Sequence, residues 1–254
     1  MPSTGDLTDP LPYCGSPPLP GGASWRLDDP WLLGALALGL ALAWRRAADR
    51  RALALGWALL AGALVSPLCN LSVALFSARA GQHLLVLLGA APLLAAALPK
   101  RARTTAGEAA ASGLLFAAAL WAWHLPGPYA ATFRSDAAYW AMHLSLLGAA
   151  WWLWRGLLGP GAARPEAALL GGLATASQMG ALGALLTFAP RALYAPHAHT
   201  TLPWGLTQLE DQQLGGLLMW VPGGLAFAAV AVPALLRVVL GTETAAPPVR
   251  RTGA

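Results

Sequence analysis

Five histidines, two cysteines and four methionines carry the metal-binding chemistry available to this 254-residue chain. His83, His124 and His143 each lie at or near the end of a long apolar run. Met142 precedes His143, and Met219 lies two helical turns beyond Asp211. Imidazole, thiolate and thioether are ligands that suit copper, so His83, His124, His143, Met142 and Met219 form a candidate set for Cu(I) or Cu(II). No tight metal spacing such as CxxC or HExxH accompanies them. Each also has a plainer role open to it. A histidine at a helix end can bond a carbonyl or sit at an interface, and a methionine can fill a core, as Met179 is expected to do. His197 and His199, in a loop of Pro, Ala and Thr, are expected to face solvent.

The stretch EDQQLGGLLMWVPGG at 210–224 adds carboxylates and amides. From Gln212 to Leu236 there is no formal charge. That run is long enough to span a hydrocarbon core, which takes about 20 residues. Asp211, Gln212 and Gln213 therefore sit at or just inside a membrane surface, where unpartnered polar groups are costly and point to a functional site. Gln82, beside His83, extends this polar set. Asp211 can orient a ligand histidine through a hydrogen bond, or pair with Arg79, Arg134 or Arg191. Pro222, Gly223 and Gly224 weaken the same helix, freeing carbonyls or allowing close packing. Cys14 and Cys69 can form a disulfide in an oxidising compartment. They can instead act as a copper-handling pair with a reversible redox state.

The elements that must position these groups are apolar helices. Hydrophobic residues make up 57% of the chain and charged residues 11%, with a mean hydropathy of +0.54. Soluble chains carry about 25% charged residues, so this composition belongs to an integral membrane protein. The pI of about 9.9 could suit nucleic acid, but the basic residues fall between apolar runs and not on one face, which argues against it.

Asp29 is a candidate N-cap and Pro30 suits the first helical position. Apolar runs then follow at 31–44, 52–78, 80–99, 109–123, 137–154, 167–189 and 212–236. In the second run the helix is expected to reach about Cys69, with a loop or short helix after Asn70. Pro126 and Pro128 end the fourth. The fold expected is all-α, a polytopic bundle of about seven transmembrane helices. A Pro- and Gly-rich leader (1–29), without the basic start and apolar core of a cleavable signal peptide, precedes the helical domain (30–240), and a tail (241–254) follows.

With the N-terminus outside, twelve of the 16 basic residues fall on the inner side. Arg26, Arg79, Arg134 and Arg191 fall outside. The positive-inside rule thus places the N-terminus outside and the C-terminus in the cytoplasm. All five histidines, both cysteines, Glu210 and Asp211 played no part in that assignment, and all nine fall on the outer side.

These residues resemble a known family. DQQLGGLLMWVPGG at 211–224, QHLLVLLGAAPLLAAALP at 82–99, WHLPGPY at 123–129 and LTFAPRALYAP at 186–196 are similar to blocks of the CtaG-type cytochrome c oxidase assembly proteins. YCGSPPLP at 13–20, WRLDDP at 25–30 and SPLCNLS at 66–72 resemble its proteobacterial branch. The short first run and the loop around His197 and His199 depart from the pattern. The resemblance implies a non-enzymatic, multi-pass protein of the bacterial plasma membrane, with membrane lipid and cytochrome c oxidase subunits as partners. It implies that copper is held or delivered at the outer face, and it carries the family's histidine and polar positions onto His83, His124, His143, Asp211, Gln212 and Gln213. Three other functions compete. A metal-dependent hydrolase would use Asp211 as general base and show zinc-dependent activity. A haem electron carrier would show a Soret band. A transporter would need more polar groups in the inner half than Thr175, Ser177 and Gln178.

Overall fold

Capping chemistry sets where the helices begin. In the computed structural model, which describes residues 11–99, 103–158 and 164–244, the Asp29 carboxylate accepts from the Leu32 N–H at 3.0 Å. Pro30 takes the first turn of α1, Pro30–Trp44, as its sequence predicts. Residues 1–10 of the expected leader, residues 245–254 of the expected tail, and Lys100 and Arg101 lie outside the described residues.

Helix α2, Arg50–Val65, starts at Asp49, which caps the N–H groups of Arg51 and Ala52. It stops earlier than expected. Ser66 precedes a proline, is pushed into an extended conformation, and restarts the chain as α3, Pro67–Ala74. The two helices meet at a 48° bend, and Cys69 lies on the second of them.

Helix α4, Phe76–Leu84, runs through six π-helical residues, Leu85–Ala90, into α5, Ala91–Ala97. Pro92 offers no N–H to the preceding turn and crowds the carbonyl four residues back. The widened turns ahead of it relieve that crowding. Helix α6, Ala106–His124, opens on a reciprocal Thr105–Glu108 capping box. Pro126 ends it as expected and starts the short α7, Pro126–Ala131. Ser135 caps α8, Asp136–Leu157, and α9 spans Pro165–Thr187. Helix α10, Gln208–Thr244, begins at a second reciprocal cap between Thr207 and Glu210 and continues through Pro222 and Pro233.

Among the described residues, four segments are long and apolar enough to cross a membrane: Phe76–Ala97, Ala106–His124, Pro165–Thr187 and Gln208–Leu240. The bent α2–α3 pair makes a fifth if taken as one span. This is fewer than the seven the sequence predicts. Helix α1 has only 15 residues, and α8, although 22 residues long, is not among the four. The described residues form helices and no strand.

Helix α10 packs along α9 and across α4, α6 lies against α8 and α9, and α2 lies against α5. Glycines let α9 and α10 touch. A Cβ at Gly183 would stand 2.8 Å from the Gly216 carbonyl oxygen, and one at Gly216 would stand 2.7 Å from the Gly183 oxygen. Such small-residue contacts replace the hydrophobic drive that helices lack in lipid. Leu38, Leu55, Leu114, Leu170, Leu217 and Leu225 point outward, an apolar perimeter suited to lipid.

Candidate functional site

Three imidazoles meet at one end of the bundle. The His83 ring centroid is 5.4 Å from that of His143 and 6.3 Å from that of His124. His83 stands two turns into α4, His124 closes α6, and His143 stands two turns into α8. All three are buried. The Nδ1 atoms of His124 and His143 lie 2.7 Å from the Leu120 carbonyl and 3.0 Å from the Tyr139 carbonyl, each one turn back. A carbonyl only accepts, so Nδ1 carries the proton in both rings and the neutral ring's lone pair sits on Nε2. The Nε2 atoms of His83 and His143 are buried without a hydrogen-bond partner.

Tyr139 joins this cluster to the two cysteines. Its ring packs on His143 at 4.2 Å between centroids. Its hydroxyl lies 3.3 Å from Cys14 Sγ and 3.6 Å from Cys69 Sγ. Cys14 and Cys69 form a disulfide across 55 residues of chain. Further bonds fasten the leader beside it. Asn70 donates to the carbonyls of Cys14 at 3.0 Å and Ser16 at 2.9 Å, the Arg26 N–H donates to the Val65 carbonyl at 2.8 Å, and Trp204 donates to that of Pro18 at 3.2 Å. Tyr13 stacks on Tyr139 and donates to Asp29. That hydrogen bond, with the cap bond from Leu32, holds the Asp29 carboxyl below its usual range.

Gln208, Glu210, Asp211 and Gln212 bond to backbone, and none of their hydrogen bonds among the described residues goes to a histidine. Asp211 accepts from the N–H groups of Phe76 at 2.6 Å and Ser77 at 3.1 Å, and from the Ser77 hydroxyl. It therefore caps α4 from another helix, where Leu75 has no capping side chain. None of the described arginines forms an ion pair with it. Among the described residues the one ion pair is Arg26–Asp29 at 3.4 Å. Gln212 accepts from the Leu193 N–H at 2.6 Å, fixing the loop after α9. Gln213 is half-buried on the neighbouring face. Gln82 donates to the Ala63 carbonyl at 2.7 Å, tying α4 to the end of α2. Met219 lines a small cavity with His83 and His124. Met142 is buried but does not line it.

His197 corrects an expectation. It does not face solvent. The turn Ala195–His197 tucks its ring into the protein, where Nδ1 meets the Ala74 carbonyl at 3.2 Å and Nε2 meets the Tyr129 hydroxyl at 2.7 Å. Burial, reinforced by the positive charge of Arg79, pushes its pKa down to about 3. Burial likewise pushes the Tyr129 hydroxyl up. His199 is exposed, as expected. Arg79, which the sequence offers as a partner for Asp211, is instead 1% exposed, bonded to the Ser72 carbonyl and the Thr132 hydroxyl, and stacked over Phe133 at 4.2 Å. Tyr139 could have been found from sequence, since it precedes His143 by one helical turn and so shares its face.

A family model for the cytochrome c oxidase caa3 assembly factor, Caa3_CtaG, matches residues 31–239. The chain belongs to that family. The match takes in all three histidines, Cys69 and Asp211, and starts after Cys14, so the leader half of the disulfide lies outside it. Membership in Caa3_CtaG makes the protein an assembly factor for cytochrome c oxidase, with oxidase components as its general class of partner. No curated protein matches the chain, and no solved structure does.

Proposed function

We propose that this assembly factor carries copper as cargo. It would receive the ion at the outer face of the bacterial inner membrane and pass it to a cytochrome c oxidase subunit without catalysing a reaction. The observation that supports this is the pair of buried, unpartnered Nε2 atoms on His83 and His143, with ring centroids 5.4 Å apart. Buried polar atoms without partners are rare, and each calls for an explanation. An imidazole nitrogen sits about 2 Å from a bound Cu or Zn, so two rings sharing one ion have centroids about 5–6 Å apart. His83 and His143 stand in that range, and His124 stands just beyond it.

Among the described residues no group of three or more His, Cys, Asp or Glu side chains is set for a metal ion. Two nitrogens and a loose third suit cargo that must leave, because few ligands exchange quickly. The soft ligands available suit copper over harder cations. The hydrolase alternative loses its base, since the Asp211 carboxylate is engaged by Phe76 and Ser77.

The same reading sets the protein in the membrane as seven passes. The leader (1–29) lies outside and the tail (241–254) lies in the cytoplasm. Titration of the purified protein with Cu(I) and Cu(II) tests the copper role. Replacing His83, His124 and His143 together is expected to weaken binding at least tenfold. Unchanged affinity would remove this site. Labelling of single engineered cysteines tests the orientation, and reagent access to the histidine end from the cytoplasm only would reverse it.

A further inference from the structure

We infer that the cavity beneath the histidine trio is a second, sulfur-lined chamber for a soft monovalent ion, Cu(I) or its analogue Ag(I). His83, His124, Met179 and Met219 line it. The chamber deepens the copper-cargo reading and rests on it. Its volume is about 10 Å³, room for a single small sphere. Ala80, Leu84, Leu87 and Leu120 complete its wall, and the four donor side chains are buried, with relative exposures of 7%, 8%, 1% and 3%.

The thioethers come from α9 and α10, the pair that the Gly183 and Gly216 contacts hold together. A further glycine makes room for one of them. A Cβ at Gly223 would lie 2.7 Å from Met179 Sδ, so only a bare backbone allows that sulfur its position. This gives Gly223 of the VPGG stretch a role at the cavity and not only in helix packing. Thioether is a soft ligand that selects Cu(I), whereas imidazole alone serves Cu(II) and Zn(II) as well.

His83 belongs to both places. Its ring lies between His143 on the disulfide side and His124 on the methionine side. An ion held by His83 and His143 would therefore reach the chamber by exchanging His143 for His124 and the two sulfurs, keeping His83 throughout. No electron or proton transfer is needed, since each ligand is neutral and the ion keeps its charge. Met179 and Met219 would then set which oxidation state is retained, and His143 would set entry from the outer side.

The test uses the full-length purified protein with its disulfide intact. Cu(I) is supplied in oxygen-free acetonitrile buffer without added reductant. X-ray absorption and competition titration are applied to the wild type and to Met179→Leu/Met219→Leu. Leu conserves volume closely enough to keep the fold, and thermal melting checks that it does. The wild type is expected to show both nitrogen and sulfur neighbours around Cu(I). The double variant is expected to show nitrogen only and to bind Cu(I) at least tenfold more weakly, while its Zn(II) affinity stays within twofold. Sulfur neighbours that persist in the double variant, or Cu(I) affinity within twofold of the wild type, would overturn the chamber. Nitrogen-only binding in the wild type would overturn the chamber and leave the cargo reading standing. A wild type that binds no copper would remove both.

Discussion

Asp211 caps a helix it does not belong to: its carboxylate accepts the backbone N–H of Ser77, 134 residues away in sequence, as well as that of Phe76. A buried carboxylate accepting several bonds is costly to replace, because the freed donors are left without partners. Asp211→Ala is expected to destabilise the protein by about 1–3 kcal/mol. Asp211→Asn, which keeps an acceptor, should cost less. Melting in detergent reads the difference. Because His83 stands two turns along the capped helix, copper affinity should fall in the same order, Ala more than Asn.

His197 predicts a pH dependence with a definite sign. The unfolded chain takes a proton near the ordinary histidine value of about 6.5, whereas the buried ring refuses one until about pH 3. The folded-state pKa is depressed. Its contribution is therefore complete above pH 6.5 and is lost as pH falls through the window down to about 3. His197→Asn should be less stable than the wild type at pH 7.5 and should lose stability less steeply below pH 6.5. The slope it removes is at most about 1.4 kcal/mol per pH unit. Melting temperatures of the two proteins from pH 7.5 to 4.5 check this, since effects of the other histidines are common to both. Parallel curves would refute it.

The disulfide between Cys14 and Cys69 closes 55 residues of chain. Cys14→Ser with Cys69→Ser is expected to lower stability by about 2–4 kcal/mol, through a less constrained unfolded state. It should also free the leader, so that trypsin cuts at Arg26 sooner than in the wild type. An unchanged cleavage rate would mean that Asn70, Arg26 and Trp204 hold the leader alone.

Gly216→Ala places a methyl group 2.7 Å from the Gly183 oxygen and equally close to the Thr187 N–H. Backbone on both sides cannot yield cheaply, so α9 and α10 must part. The expected cost is about 1–3 kcal/mol. Gly224→Ala, whose added Cβ would meet nothing within 4 Å, should be close to neutral. Melting of the two variants side by side checks the contrast.

Much of the frame could be read along the chain because its causes are local. Asp29 and Pro30 announce the start of α1, and Pro126 the end of α6, within one turn of where each acts. Long charge-free runs announce apolar helices, since lipid accepts little else. The gathering of His83, His124 and His143 at one end followed from where each sits in its run. Local rules failed where one segment acts on another. Asp211 read as a partner for a histidine or an arginine and is a cap for α4. His197 read as a loop residue in water and is buried between Tyr129 and Ala74.

The sequence by itself determined that the chain is built of apolar helices and where the capped ones begin, because hydropathy and capping act over a few residues. Tertiary structure decided which imidazole nitrogens stay unpartnered, that Cys14 meets Cys69 beside Tyr139, and that Met179 shares a cavity with His83. Each of those depends on how helices distant in sequence are turned toward one another, and that rotation is set by packing across the whole bundle.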